Sequence, residues 1–430
     1  MHVARFTPTR SALFLALLAA FLGWMFDGLE MGIFPIVARP ALTEMAHAGN
    51  PALAAMSQPD AAAAIEQFIG LWMSRATAAF LFGAALGGLV FGWLGDKLGR
   101  VRAMSLSVLT YSLFTGVAYF AVVPWHLPVL RFIAALGMGG EWALGVALVM
   151  EIWPDNKRPL LAALIGAASN IGFALAASLE LLIPAVREKW RILLLICMLP
   201  ALLTFLIRIF VPESERWKEA VEDREKTHPL REIMQPPLVG RTLMAIALAS
   251  VALIATWGAV QWLALWAPKV AGPGVPNAKN YVQVASAVGS ILGGFVGAGL
   301  GNWLGRRRSY FALCVLSLAI CSWVFRSPQQ FNALFLAGVF LIGCFTASFY
   351  GWLPLYFPEL FPTRVRATAQ GLAYNFGRIL AAVGVLQMGT LMQRFHGDYA
   401  KAGATIVLVY FAGMIAIWFA PETSGRPLPT

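Results

Sequence analysis

Polar residues come in short bursts along this chain, separated by long apolar stretches. We place those stretches at 12–38, 67–91, 103–124, 128–152, 160–184, 191–211, 241–267, 281–303, 309–325, 330–356, 367–393 and 402–420. Crossing a bilayer as a helix takes about 20 apolar residues, and nearly all the stretches reach that length. They do not alternate apolar and polar with period two, so barrel strands are excluded. A helix is the remaining way to satisfy every backbone N–H and C=O in lipid. The expectation is an all-α integral membrane protein of twelve transmembrane helices, called spans 1 to 12 below. Glycines four apart, at Gly83/Gly87, Gly88/Gly92 and Gly289/Gly293/Gly297/Gly301, mark close helix contacts in spans 2 and 8.

Composition agrees with that pattern. Hydrophobic residues make up 59% of the 430 and charged residues 12%, roughly half the ~25% of a soluble domain. A soluble enzyme, a disordered chain and a fibre are excluded. The net charge of +11 does not point to nucleic acid, because most basic residues lie in short loops. With the N-terminus inside, the inner segments hold 20 Lys and Arg and the outer loops nine. That bias predicts cytoplasmic termini and a multi-pass protein of the cell inner (plasma) membrane. The first apolar run exceeds a signal-peptide core and carries Asp27 and Glu30, so it reads as a retained helix. Cys197, Cys314, Cys321 and Cys344 lie in apolar stretches without a CxxC pair. No metal cluster, Walker loop or Gly-x-Ser-x-Gly elbow occurs, so no cofactor, no metal and no enzymatic activity are expected.

The chain repeats internally. Gly92-Trp-Leu-Gly-Asp96-Lys-Leu-Gly99-Arg100-Val-Arg102 recurs 206 residues later as Ala298-Gly-Leu-Gly-Asn302-Trp-Leu-Gly305-Arg306-Arg-Arg308. Glu151-Ile-Trp-Pro154-Asp-Asn-Lys-Arg158 recurs 208 residues later as Glu359-Leu-Phe-Pro362-Thr-Arg-Val-Arg366. Two pseudo-symmetric six-helix bundles follow, 1–211 and 241–430, joined by a polar cytoplasmic linker at 212–240. Duplicated halves of this kind are a transporter architecture.

These residues carry a family resemblance. Gly92 to Arg102 resembles the signature loop of the major facilitator superfamily, and Ala298 to Arg308 its degenerate copy. Pro212-Glu-Ser-Glu-Arg-Trp217, Pro358 to Arg366 and Pro421-Glu-Thr-Ser-Gly-Arg426 are similar to patterns of sugar porters and metabolite:proton symporters. Arg131-(x)5-Gly137-Met-Gly-Gly-Glu141-Trp142 is similar to the helix 4 pattern of metabolite:proton symporters. Asp27-Gly-Leu-Glu30 resembles a helix 1 motif of aromatic acid symporters and sialic acid transporters. The resemblance implies alternating access with proton coupling. A helix 1 acid, here Glu30, would pair with a helix 4 arginine, here Arg131. The sugar-porter pattern has gaps: its helix 7 Gln-Gln pair falls on Ala255 and Thr256, although Gln261 matches a later Asn.

Charges inside a span cost about 2.5–3.5 kcal/mol each on insertion scales, so they face a cavity or one another. Asp27, Glu30, Arg131 and Glu141 are the candidate proton-coupling residues; a static ion pair between spans 1 and 4 is the bland alternative. Trp257 and Gln261, four apart on span 7, pair an aromatic plate with an amide. Tyr374, Asn375 and Arg378 form a polar cluster on span 11. Arg378 lies about 18 Å along the helix from Arg366, near mid-bilayer. With Arg75 of span 2 it is the candidate carboxylate site. At the inner ends, Asp96, Arg100, Arg102, Glu151, Arg158, Glu359 and Arg366 are candidate gate residues, with Glu151/Arg158 and Glu359/Arg366 as breakable surface pairs of ~0–1 kcal/mol.

The expected function is proton symport of a small polar metabolite, an organic or sugar acid such as a sialic acid or another carboxylate. Its partners would be the substrate, protons and the lipid bilayer, with the chain acting as a monomer. The alternatives are a neutral sugar:proton symporter, proton-driven efflux, or a non-transporting membrane sensor.

Overall fold

The computed structural model describes residues 10–49, 57–182, 189–200, 202, 207, 209–215, 217–218, 228–272, 274–275, 278–327, 330–395 and 398–429. Among them every regular element is helical. Among the described residues ten helices are long and apolar enough to cross a membrane. Span 11 is a 29-residue helix, Arg366–Arg394, made less apolar by Arg366, Gln370, Asn375 and Arg378. Span 6 is described over Lys189–Ile196. Part of the rest of that stretch, and linker residues 216 and 219–227, lie outside the described residues.

Spans 1 and 2 outrun their apolar stretches, as Arg10–Gly49 and Gln58–Leu98. Their outer turns are rich in alanine, the best helix former, so propensity carries the helix beyond the apolar window. The Ser57 hydroxyl caps span 2 by accepting from the Asp60 amide at 3.4 Å. Span 7 is interrupted. It runs Leu238–Gly258, breaks at Ala259, passes through a 3-10 turn at Val260–Trp262 and resumes as Leu263–Ala271. Gly258, a poor helix former, ends the first piece. Between spans 2 and 3 the chain reverses through Gly99, and between spans 8 and 9 through Gly305, at φ 107° and 81°. Other residues are strained at these angles.

Helix packing follows the sequence repeat. Spans 2 and 3 pack on span 4 as spans 8 and 9 pack on span 10. Span 1 lies along span 5 as span 7 lies along span 11. The two sets meet where span 11 runs along span 2 and where span 5 runs along spans 8 and 10. Glycine makes these approaches possible. A methyl group on Gly293 or Gly297 would collide with the span 10 carbonyls of Cys344 or Ser348. On span 2, Gly83 and Gly87 face Phe132 and Leu136 of span 4, while Gly88 and Gly92 face Gly371 and Ala367 of span 11. With lipid as solvent, such packing, not water exclusion, drives helix association.

Candidate functional site

Glu30 and Arg131 meet. The Arg131 guanidinium donates to the Glu30 carboxylate, both side chains are buried, and the Thr115 hydroxyl of span 3 donates to the same oxygen at 3.2 Å. Arg131 is also held between Phe34, 4.1 Å from its ring centroid, and Phe80, at 4.5 Å. A small cavity beside the pair, lined by Phe114, Thr115 and Leu130 among others, has about 20 Å³ of free space. That holds about one water and no metabolite.

A second group gathers on spans 1, 4 and 11. Asp27 and Glu141 are fully buried, and none of their carboxylate oxygens has a hydrogen-bond partner. Glu141 lies against Gly23, one turn before Asp27. Asp27 is within electrostatic range of Glu141, Arg378, Glu30 and Arg131. Buried Arg378 donates to Asn375 Oδ1 at 3.1 Å and lies 5.1 Å from the Tyr374 ring centroid; its Nε has no partner. Among the described residues no carboxylate lies within ion-pairing distance of it. Glu141, whose oxygens are unpartnered, therefore does not neutralise Arg378 directly. Asn375 bridges the two helix sets by donating to Gly139 O of span 4 at 2.5 Å. Tyr374 stacks on Trp142 at 4.3 Å between centroids, and Trp24 closes the group at 6.2 Å from Tyr374. Gln370, two turns before Arg378, is also buried with its amide unpartnered.

Three expected residues stand apart from this group. Arg75 is exposed, 4.5 Å over the Trp72 ring, and does not join Arg378 in a shared cavity. Gln261 is exposed, and the break at Ala259 removes the regular turn that would align it with Trp257. Trp257 instead packs against hydrophobic clusters of both helix sets.

At the other end the candidate gate residues meet in a different pairing from the one expected. Arg100 binds Asp96 at 2.5 Å, Glu151 at 3.0 Å and the carbonyls of Gly95 and Thr363 at 2.7 and 2.6 Å. Glu151 also takes Arg366 of the other set, at 2.8 Å. Arg158 binds Asp155 at 2.5 Å instead. Glu359 takes Arg306 at 2.7 Å and accepts from the Thr423 hydroxyl at 2.6 Å. Asp96 accepts from the Thr368 amide at 2.8 Å, its hydroxyl at 2.5 Å and the Ala367 amide at 3.4 Å, all in the first turn of span 11. An acid there satisfies otherwise orphaned amides and complements the helix dipole. Apart from the exposed Asp155, these charges are buried, so the surface-pair magnitude does not describe them. Arg102 is exposed and outside the cluster.

The sequence argument missed Arg306, although the repeat aligned it with Arg100. It also missed Glu213 and Glu422, which cap spans 3 and 9. Glu213 accepts from the Arg100 amide at 2.8 Å and Glu422 from the Arg306 amide at 2.9 Å. Their surroundings differ. Burial pushes the Glu213 carboxyl above its usual range, against the amides of Ser214, Val101 and Arg100 and the Arg100 charge. At Glu422 burial acts the same way but is outweighed by the amides of Arg307, Arg306 and Ser424 and by Arg306, which hold the carboxyl below its usual range. Trp24 and Trp142 were missed because single aromatics in apolar runs read as lipid-facing or core.

Comparison with known proteins agrees with this architecture. Residues 13–385 match the Major Facilitator Superfamily. A probable 4-methylmuconolactone transporter of Cupriavidus pinatubonensis is 31% identical, over 79% of this chain and 79% of its own length. The cis,cis-muconate transport protein of Acinetobacter baylyi is 30% identical over 81% of this chain and 84% of its own. The sialic acid transporter NanX of Escherichia coli is 27% identical over 97% and 95%. Among solved structures, the proton:xylose symporter XylE has a TM-score of 0.75 at 16% identity, over 97% of this chain and 98% of that one, a likeness of fold. The chain belongs to the major facilitator superfamily and is a multi-pass membrane transporter of small molecules, not an enzyme.

Proposed function

We propose that this transporter is a proton symporter of a small organic acid, working as a monomer in the inner (plasma) membrane with both termini cytoplasmic. Its halves, 1–211 and 241–430, joined by the linker 212–240, rock about a central site. The observation that carries the reading is Arg378, a buried guanidinium that donates to Asn375 and lies near Tyr374 but pairs with no carboxylate among the described residues. Leaving such a charge unpaired is costly, and a bidentate carboxylate is its natural counterpart. The stacked Trp142–Tyr374 pair and Trp24 give the body of the ligand apolar faces. Muconate and sialic acid, named for two relatives, are both carboxylates.

Glu30 is the proposed proton carrier, with Arg131 as its counter-ion and Asp27 and Glu141 as further protonatable groups facing the centre. Arg100, Glu151, Arg366 and Asp96 form the cytoplasmic gate, closed in this conformation. The test compares a carboxylate with its amide. Uptake into vesicles and binding to the purified protein should favour the carboxylate, and Arg378→Lys, which keeps the charge but loses the fork, should weaken it sharply. Equal binding of acid and amide would refute the anion site and favour a neutral sugar.

A further inference from the structure

Two buried arginines share one ring. Phe80 of span 2 is buried, with Arg131 Cζ 4.5 Å and Arg378 Cζ 6.0 Å from its centroid. Each arginine also has a ring of its own: Phe34 for Arg131, and Tyr374 for Arg378. Phe80 is therefore where the ion pair with Glu30 touches the residue assigned to the substrate. Resting on that reading of the two sites, we propose that Phe80 is a positioning residue that couples the proton on Glu30 to the anion on Arg378.

A ring face attracts a cation within about 6 Å. That attraction holds both guanidiniums against Phe80, close enough to repel each other in surroundings that screen far less than water, and weakening it lets them move apart. With Glu30 ionised, Arg131 has a counter-ion and disturbs Arg378 little. Once Glu30 takes up a proton, Arg131 keeps its charge without a partner. Both guanidiniums then lie near Phe80 as uncompensated cations. An anion on Arg378 relieves that repulsion. Proton and anion each favour the other's binding, as linkage requires and as symport needs.

Other charged and titratable groups surround the two sites. Glu30 is faced by Arg131 and Thr115, with Asp27, Tyr111 and Cys197 in electrostatic range. Arg378 is faced by Asp27, Tyr374 and Tyr350, and Glu141 acts on Asp27. All of these persist when position 80 is changed. Phe80 does not titrate, so its replacement alters how strongly the two sites sense each other and not how many protons the centre can hold.

The experiment measures binding of cis,cis-muconate, benzoate and a sialic acid to the reconstituted protein in acidic and in alkaline buffer. It also measures accumulation in vesicles under an imposed pH gradient. Coupling between sites is typically about 5- to 150-fold, and we expect wild-type affinity for the bound acid to improve at least about tenfold in acid. Phe80→Leu should cut that ratio to about threefold or less and abolish accumulation, while exchange of bound for free acid continues. Phe80→Tyr keeps the ring and should keep the ratio. Ring-fluorinated phenylalanine at position 80 preserves shape and weakens the negative face, so it should lower the ratio stepwise even where Phe80→Leu folds poorly. A wild-type ratio in Phe80→Leu, or in the fluorinated protein, overturns the coupling role. If Glu30→Gln leaves the ratio unchanged, or none of the three acids binds, the underlying site reading is wrong, and the proposal falls with it.

Discussion

Asp96→Asn should open the gate. Asp96 holds Arg100 within its own half and accepts three hydrogen bonds from the first turn of span 11 in the other half. Asparagine offers one acceptor oxygen and turns an NH2 group toward amides that are themselves donors. Hydrogen bonds to a charged group contribute about 1.5–3 kcal/mol each, so losing one or two across the seam costs roughly 1.5–6 kcal/mol. Orphaning a buried charge outright costs about 3–5 kcal/mol, but Arg100 keeps Glu151 at 3.0 Å, which places the effect near the low end. About 2–3 kcal/mol corresponds to a roughly 30- to 150-fold change in the ratio of closed to open states. Complete conversion takes ~5.5 kcal/mol, so a mixed population is expected. Spin labels at Arg102, at the start of span 3, and Gln235, beside span 11, both exposed and on opposite sides of the seam, would report a second, longer distance in the variant. Asp96→Glu should fall between the variant and wild type. An unchanged distance distribution in a folded Asp96→Asn protein would refute the latch.

Other substitutions test separate parts. Glu30→Gln should abolish accumulation driven by a pH gradient while leaving downhill exchange, measured by counterflow in vesicles; concentrative uptake by the variant would remove Glu30 from coupling. Gly172→Leu should disrupt the seam of spans 1 and 5, because any side chain there meets Met25 O, and the loss would register as a lower unfolding temperature in detergent. Glu422 supplies a pH test. Its folded carboxyl titrates below the ordinary value, so its contribution to stability is present above the unfolded-state value and is lost as pH falls through the folded one. Unfolding temperature should drop on acidification below about pH 4.3, and Glu422→Gln should remove that part of the dependence.

Much of this was legible because bilayer physics leaves few options. Span length, the glycine rows and the repeat follow from local rules, and among the described residues they place helices where they are seen. Partner choice was less legible. Glu151 and Arg158 are neighbours along the chain, yet Glu151 binds Arg100 and Arg366, because at the end of span 4 it faces the seam between the halves. Arg158 finds an acid three residues away in Asp155. Glu30 and Arg131 meet because both lie inside spans, where few other partners exist. Arg75 failed the same logic: near an outer helix end it can lie exposed over Trp72. The break after Gly258 undid the alignment of Trp257 with Gln261, and helical spacing alone gave no sign of it.

The repeat is closest to exact in the latches inside each half and least so across the seam. Arg100 with Glu151 and Glu213 has its counterpart in Arg306 with Glu359 and Glu422. Across the seam the symmetry ends. Asp96 reaches the first turn of span 11, whereas its counterpart, Asn302, is exposed, and Arg158, the counterpart of Arg366, turns to Asp155. The seam of span 2 with span 11, itself glycine-packed, is thus locked in addition by charge. Among the described contacts the seam of span 5 with spans 8 and 10 rests on close packing, with Gly166 against Tyr350 and Gly294 against Ala163. Charge-assisted hydrogen bonds are lost almost entirely over a small displacement, while a glycine-lined packing seam can slide. A transporter with one brittle seam and one sliding seam can open its brittle side and pivot on the other. A charge introduced at Asn302 would make both seams brittle. Asn302→Asp should therefore favour the closed state and slow turnover. The measurement is the same distance distribution, with labels at Arg102 and Gln235, together with exchange rates. Faster exchange, or a longer mean distance, would contradict the assignment of the pivot.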